Sequence, residues 1–525
     1  MKLPNRRGLV RSTTLLLMLA VSAAAGDLAG RVSGPGGPLM GASVTAQGAN
    51  GVATTAYSAA DGSFRIRGLG TQKYSVRVRY PGLEDGSVEA AGSGRIDVAL
   101  KPATDRLSMT PSSTWLSLLP DGEMKRRFIV NCAACHEIAH SRIYKDGAIR
   151  DEAKWSEAIA LMKSIDAYKL VSPSLDAKIY APWLAEHLSP KAISALNLQP
   201  AADVASVGHT VITEYAVPTA TELPHDVAVG PDHRLWITAF WTGFMWALDP
   251  ATGKIESFNV AEDKSTPAQV RALQFDRFGK LWIVLGGTKS VIRLDPATRE
   301  IRNYPVGIYA HDIVLDSKGD VWLNDYFSNP EAIAKLEVGT GKVTHLLLPS
   351  AHLPASEGQP LPYGLQIDAQ DRLWSTQLVG NTLVRFDTRS NEAKLYQMPV
   401  PLSGPRRHAV ARDGTVWIPE FNTGFVAHFD PRTEKFERFR VGESTLGAYD
   451  LAIDPRDGGI WITGALASAL IRFDPKTHAV ERYPLPTEPA YMRHIAIDPN
   501  NGDVWSAYSS LPTAVPKVVR VSRGH

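Results

Sequence analysis

The chain has 525 residues, with 56 Lys and Arg against 54 Asp and Glu, for a formal net charge of +2. That length asks for roughly two to four domains, and a near-neutral balance without a basic stripe excludes a dedicated nucleic-acid binder. The 42 Gly and 36 Pro point to turn-rich β structure.

Residues 1–25 read as a secretory signal. Lys2, Arg6, Arg7 and Arg11 form a basic head, Leu15 to Val21 an apolar core too short to span a bilayer, and Ala23-Ala24-Ala25 a cleavage site of small residues. A retained anchor is the alternative. No later stretch is long and apolar enough to cross a membrane, so the mature chain is expected to be exported without a transmembrane segment. In a bacterium that is the periplasm.

Residues 26–102 alternate in period two between Gly-rich turns: Ala42-Ser43-Val44-Thr45-Ala46, the turn Asp61-Gly62, then Ser63-Phe64-Arg65-Ile66 and Tyr74-Ser75-Val76-Arg77-Val78. This predicts a small antiparallel β-sandwich. The stretches GRVSGPGGPLMGASVTA, AADGSFRIRGLGTQKYSVRVRYPG and RIDVAL resemble the carboxypeptidase regulatory-like domain. The resemblance implies a non-catalytic spacer or adhesion module.

Residues 103–114 read as a linker, and from Trp115 the pattern becomes helical. Helices are predicted over 122–130, 151–165 and 175–188; in the second, Trp155, Ala158, Ile159 and Met162 recur at three- and four-residue steps. Between the first two lies Cys132-Ala133-Ala134-Cys135-His136, which holds the only cysteines of the chain. C-x-x-C-H is the signature of covalent c-type haem attachment. Two thiols one helical turn apart reach the two vinyl groups of one porphyrin, and the adjacent imidazole becomes the proximal iron ligand. A short-loop disulfide or a thioredoxin-like pair is the alternative, but no βαβ pattern surrounds the motif. With Arg142, Trp155 and Met162, residues 115–200 resemble the compact cytochrome c domains, and the resemblance implies Met162 as distal ligand. Met124, His140 and His187 are its competitors.

From 208 to 525 the chain repeats. Trp236, Trp282, Trp322, Trp374, Trp417, Trp461 and Trp505 recur at intervals of 46, 40, 52, 43, 44 and 44 residues, the period of a β-propeller with four short strands per blade. The last repeat lacks a fourth strand, and Val211 to Val217 resembles one, so an N-terminal strand should complete blade seven and remove an open edge. The repeat, exemplified by PHDVAVGPDHRLWIT, resembles the streptogramin B lyase family. The fold class is therefore mainly β: an N-terminal β-sandwich, a small all-α cytochrome c domain and a C-terminal seven-bladed β-propeller.

Aligned on Trp, one column reads His225, Arg271, His311, Tyr363, Arg406, Tyr449 and Arg493. These begin the innermost strands and should ring one mouth of the channel, where arginines, histidines and tyrosines suit an anionic or carbonyl-bearing ligand. A second column, three residues after Trp, contains Asp325 and Glu420. In the lyases the resemblance implies Mg-assisted opening of a cyclic depsipeptide lactone, with a histidine of the first column as base and a glutamate fourteen residues later in the metal site. His311 and Asp325 have that spacing here; the acid is one methylene shorter, and Tyr309 stands where the family has an acidic residue. Glu420 offers a carboxylate from another blade.

The motif and export together predict a periplasmic haem c protein that exchanges electrons with a redox partner, its propeller binding or oxidising a small substrate. Alternatives are a Mg-dependent lyase and a non-catalytic redox sensor or scaffold. The pairing of propeller and haem c also resembles the quinoprotein dehydrogenases, though no motif places a quinone.

Overall fold

A computed structural model describes residues 26–523, apart from 106, 109, 166–168, 197, 199–209, 262–266, 351, 354–356 and 511–513. The expected signal, 1–25, lies outside the described residues.

Two sheets form the N-terminal sandwich. In one, Gly26–Gly34 pairs with Ser63–Leu69 antiparallel and Gly94–Ala99 parallel; the other holds Ser43–Gln47, Val52–Tyr57, Lys73–Arg79 and Gly86–Ala91. Period-two alternation turns Leu28, Val44, Phe64, Ile66, Val76 and Val78 into one shared core.

Seven antiparallel sheets then form the propeller. Each repeating Trp lies on the second strand of its blade. Its ring packs between blades: Trp236 meets Leu273 and Ile283 of the next blade, and Trp505 meets Val227 and Leu235 of the first, which closes the circle. The indole N–H groups of Trp282, Trp322 and Trp374 donate to Asp276, Asp316 and Asp368 of the preceding turns at 3.0–3.2 Å. Turn and tryptophan therefore act as one unit, which is why they recur together.

Thr210–Ala216 pairs antiparallel with Ala514–Arg523 and completes blade seven. Its other edge is also occupied. Val52–Tyr57 of the sandwich pairs with it, Thr55 opposite Ile212 and Val52 opposite Tyr215. Blade seven and one sheet of the sandwich thus form a single eight-stranded sheet. A spacer would leave the last edge open to other chains; here the chain covers it with its own strand. Glu214 ties the N-terminal strand to the rest of the propeller, wholly buried, accepting from Tyr508 Oη, Lys517 Nζ (3.0 Å) and Thr487 Oγ1 (3.1 Å).

Residues 112–194 form a helical layer: α1 (Ser112–Leu116), α2 (Glu123–Phe128), α3 (His140–Ile143), α4 (Glu152–Ser164), α5 (Ala177–His187) and α6 (Pro190–Ser194). It is not all-α, as the sequence suggested, because Tyr144–Lys145 and Ala148–Ile149 form a small hairpin. The positive φ of Gly147 makes that tight turn possible. The layer is no separate globule either. Trp115, Phe128, Ile129, Trp155 and Leu184 share one core with Tyr309, Tyr326, Phe421, Tyr449 and Tyr491 of the propeller. Hydrogen bonds to propeller carbonyls fix the seat: Ser113 N donates to Leu466 O at 2.7 Å and the Arg126 side chain, through Nε, to Pro401 O at 3.1 Å. Among the described residues no helix is long and apolar enough to cross a membrane.

Candidate functional site

Helix α2 widens after Phe128 into a π-helical turn, Ile129–Ala133, and the C-x-x-C-H segment begins inside it. Such turns re-aim side chains that a regular helix would leave on another face. Both cysteines are free thiols and pack against the shared core. Burial pushes the Cys132 thiol up to about 12 and raises Cys135 as well, with Arg406, Arg493 and Arg271 pulling Cys135 partly back. His136 Nδ1 lies 2.8 Å from Glu137 O. A carbonyl only accepts, so Nδ1 carries the hydrogen and Nε2 keeps its lone pair. Burial lowers the His136 pKa and holds the ring neutral.

Two thiols and one imidazole with its donor nitrogen free form a donor set that fits a c-type haem. Around it Glu137 Oε1, Arg142 Nε and Trp155 Nε1 are buried without a hydrogen-bond partner among the described residues. Arg142 and Trp155 are two of the pattern residues that accompany the motif. Met162 sits half-buried on α4, outside the core that Cys132, Cys135 and Met124 share. His140 stacks on Tyr144 with 4.1 Å between ring centroids, and His187 meets the edge of Trp183.

The structure brings the first column together at the propeller mouth, and every member is at least nine-tenths buried. What covers it is the C-x-x-C-H segment itself. Tyr491 Oη lies 3.0 and 2.8 Å from the carbonyl oxygens of Ala133 and Ala134. Arg406 Nη2 donates to Ala134 O and Arg493 Nη2 to Cys135 O, both at 2.8 Å. The ring thus grips carbonyls of its own chain. Tyr363 takes a hydrogen bond from Arg406 Nη1 at 2.8 Å and bonds to the Tyr449 hydroxyl. Arg271 lies over Phe240, Tyr309 and Tyr326.

Glu420 does not join the ring. Its two oxygens are held by Arg438 at 2.8 and 2.6 Å, which turns the carboxylate away from the mouth. Nor do His311 and Asp325 form a pair. His311 Nδ1 donates to Tyr363 O at 2.8 Å, with the ring enclosed by Tyr326 and Tyr363. Asp325 accepts from Phe327 N at 3.3 Å. Among the described residues no three His, Cys, Asp or Glu side chains gather as a metal site. Sequence reasoning missed Tyr491 and Tyr326. Tyr491 stands two residues before its column, as Tyr309 does in its own blade, and that recurrence was the available signal.

One residue beyond the ring lies a second set, with Asp226, Asp312, Arg407 and Asp450 buried in the channel and His494 half-buried beside them. Arg407 Nη2 binds the Asp226 carboxylate at 2.8–2.9 Å, and its Nη1 lies 3.8 Å from Asp312. His225 Nδ1 lies 2.6 Å from Asp226 and His494 Nε2 3.8 Å from Asp450. Burial alone would raise Asp226, but Arg407 holds it well below the carboxylate range. Burial pushes Asp450 up to about 8 and Asp312 up to about 6, although Arg407 opposes both.

The folded chain therefore keeps the Asp450 proton to higher pH than the unfolded chain does. The stability this contributes is present in acid and is lost as pH rises toward about 8. Asp450→Asn mimics the protonated acid at the cost of one backbone contact. Its stability relative to wild type should rise between pH 5 and 8, with a slope of at most about 1.4 kcal/mol per pH unit. Urea midpoints across that range measure it; a flat difference would show that Asp450 is ionised throughout.

A cleft of about 640 Å³ lies away from the mouth, between sandwich, linker and blades. Its Arg79 and Arg482 are matched to Asp85 and Glu443 at 2.6 and 2.9 Å.

Comparison with known proteins finds two likenesses, one for the N-terminal sandwich and one for the propeller fold. Residues 27–101 match the model of the carboxypeptidase regulatory-like domain. A streptogramin B lyase structure superposes with a TM-score of 0.53 at 19% identity, covering 60% of this chain and 98% of that one. The propeller has the streptogramin B lyase fold. Virginiamycin B lyase from Staphylococcus aureus gives 0.51 at 18% identity over 60% and 99%. Its catalytically inactive variant with quinupristin gives 0.52 at 18% over the same shares. No curated protein matches the chain. At this identity the likeness concerns the fold, and the propeller mouth of this chain carries a helical layer seated on it.

Proposed function

We propose that this is an exported c-type haem protein of one-electron transfer, and that its propeller is the seat of the haem-binding segment. The observation that carries the reading is the donor set Cys132, Cys135 and His136, with His136 Nδ1 committed to Glu137 O. Bound haem supplies reversible one-electron exchange at its iron. Cys132 and Cys135 would hold the porphyrin, and His136 Nε2 would take the proximal position. Export through residues 1–25 belongs to the same reading, as does a periplasmic redox partner. An anionic small molecule reaches the mouth only if the helical layer lifts, so a substrate-oxidising propeller requires that movement.

The test is a reduced-minus-oxidised spectrum and a midpoint potential of protein made with haem-attachment machinery. Covalent haem with a reversible potential is the expected result, and a chain that never acquires haem overturns the reading. Addition of candidate substrates and a quinone then asks whether the propeller feeds electrons to the iron.

Met162 is the proposed sixth ligand. Met162→Ala should abolish the sulfur-to-iron charge-transfer band and lower the potential, because a thioether favours the reduced metal. Loss of the band in Met124→Ala instead would move the assignment to the methionine that shares the cysteines' core.

The lyase fold favours a second reading, Mg-dependent lactone opening by His311 and Asp325. It requires His311 to leave Tyr363 O and the mouth to open. A lactone assay with Mg2+ on the purified chain decides it.

A further inference from the structure

Resting on the haem reading above, we propose that Arg406 and Arg493 are positioning residues that seat the C-x-x-C-H segment and raise the potential of the group it carries.

The two guanidiniums are buried, at 0% and 7% exposure. Their contacts are unlike those of Arg407, the next residue in the channel after Arg406. Arg407 sits on the Asp226 carboxylate. Arg406 instead bonds Tyr363 Oη and Ala134 O, and lies 4.1 Å from the ring centroids of Phe421 and Tyr449. Arg493 bonds Cys135 O and lies 4.7 Å from the Tyr491 ring centroid. Neither makes a close ion pair like that of Arg407 with Asp226; the buried Glu137 carboxyl is the acidic group on which Arg493 acts. A buried cation outside a close ion pair is costly. Here the partial negative charge of carbonyls at the end of a helical segment offsets part of that cost. The rest of the field falls on the motif, because the guanidiniums lie at 2.8 Å from the carbonyls of Ala134 and Cys135 inside it.

A group held by Cys135 and His136 gains one negative charge on reduction. A fixed cation at roughly 10 Å in a medium of effective dielectric about 20 favours that state roughly tenfold. For one electron this is about 59 mV. The hydrogen bonds to Ala134 and Cys135 supply the positioning, and the charge supplies the shift.

Arg493→Gln and Arg493→Lys separate the two effects. Each is made in the full chain with haem attached, and its midpoint potential is read by spectroelectrochemistry, with a haem stain confirming attachment. The expected result is a roughly tenfold loss in Arg493→Gln, about 59 mV downward, and less than half of that in Arg493→Lys. Arg406→Gln provides an independent second position and should also fall. Haem-loaded Gln variants with an unchanged potential overturn the inference, as does Lys falling as far as Gln. Those outcomes leave the haem reading standing. A wild-type chain that acquires no covalent haem removes both.

Discussion

Replacing Arg407 by leucine is expected to cost the propeller about 3–5 kcal/mol of stability, the usual penalty for stranding one partner of a buried ion pair. Whole domains are stable by only about 5–15 kcal/mol, so this single change should bring the fold near its limit. Arg407 stands opposite three carboxyls, from Asp226, Asp312 and Asp450, contributed by the inner strands of three different blades. Only Asp226 is held strongly ionised, and Arg407 is the group that holds it so. Without the guanidinium, His225 at 2.6 Å is the remaining partner, and burial lowers that imidazole to about 3. It would supply little positive charge near neutrality. Asp226 must then take a proton or disrupt its surroundings.

The pH dependence follows from the same pair. In wild type the depressed Asp226 contributes stability above the unfolded carboxyl pKa of about 3.9, and that contribution fades as pH falls below it. The deficit of Arg407→Leu should therefore be largest near neutrality and shrink in acid. Adding Asp226→Asn to the variant should recover part of the loss, since it removes the stranded charge. Denaturant midpoints at pH 7 and about pH 3, below the unfolded carboxyl value, measure both. A single variant as stable as wild type at pH 7 would mean that water, rather than Arg407, stabilises the Asp226 charge.

The propeller was legible because its determinants are local. Trp282 and Asp276 lie six residues apart and are joined by one hydrogen bond, so the pattern repeats wherever the geometry does. The mouth ring was legible for the same reason, each member standing at a fixed offset from its Trp. Its occupant was not. Arg406 and Ala134 are 272 residues apart, and backbone carbonyls leave no residue pattern for an arginine to match. The strand joining sandwich to blade seven escaped notice on the same ground, since the pairing of Val52–Tyr57 with Thr210–Ala216 is made between main chains. Glu420 was misplaced because column position alone does not say where a long side chain turns. Arg438 lies two strands further out and captures it. The helical layer shows the converse. Its helices follow their apolar spacing, yet its core is completed by propeller tyrosines that no helical periodicity announces.

The second large effect concerns the cysteines. In protein made with haem-attachment machinery, the double variant Cys132→Ala, Cys135→Ala should carry no haem through a denaturing gel, while wild type stains fully. Each single variant should retain one thioether. Its reduced absorption band should shift to longer wavelength, because one vinyl group stays conjugated with the porphyrin. The structure gives no reason for either substitution to unfold the chain. Both thiols only border the shared core, whose buried members include Phe128, Ile129, Leu184 and Tyr491. The mouth holds the segment through the carbonyls of Ala133, Ala134 and Cys135, which an alanine side chain leaves in place. Loss of haem in a folded double variant, checked by its thermal transition without haem, therefore reports on thioether chemistry and not on collapse of the seat. Covalent haem surviving in the double variant would exclude these cysteines as the point of attachment. His136, beside Cys135, would then lose its claim to the iron.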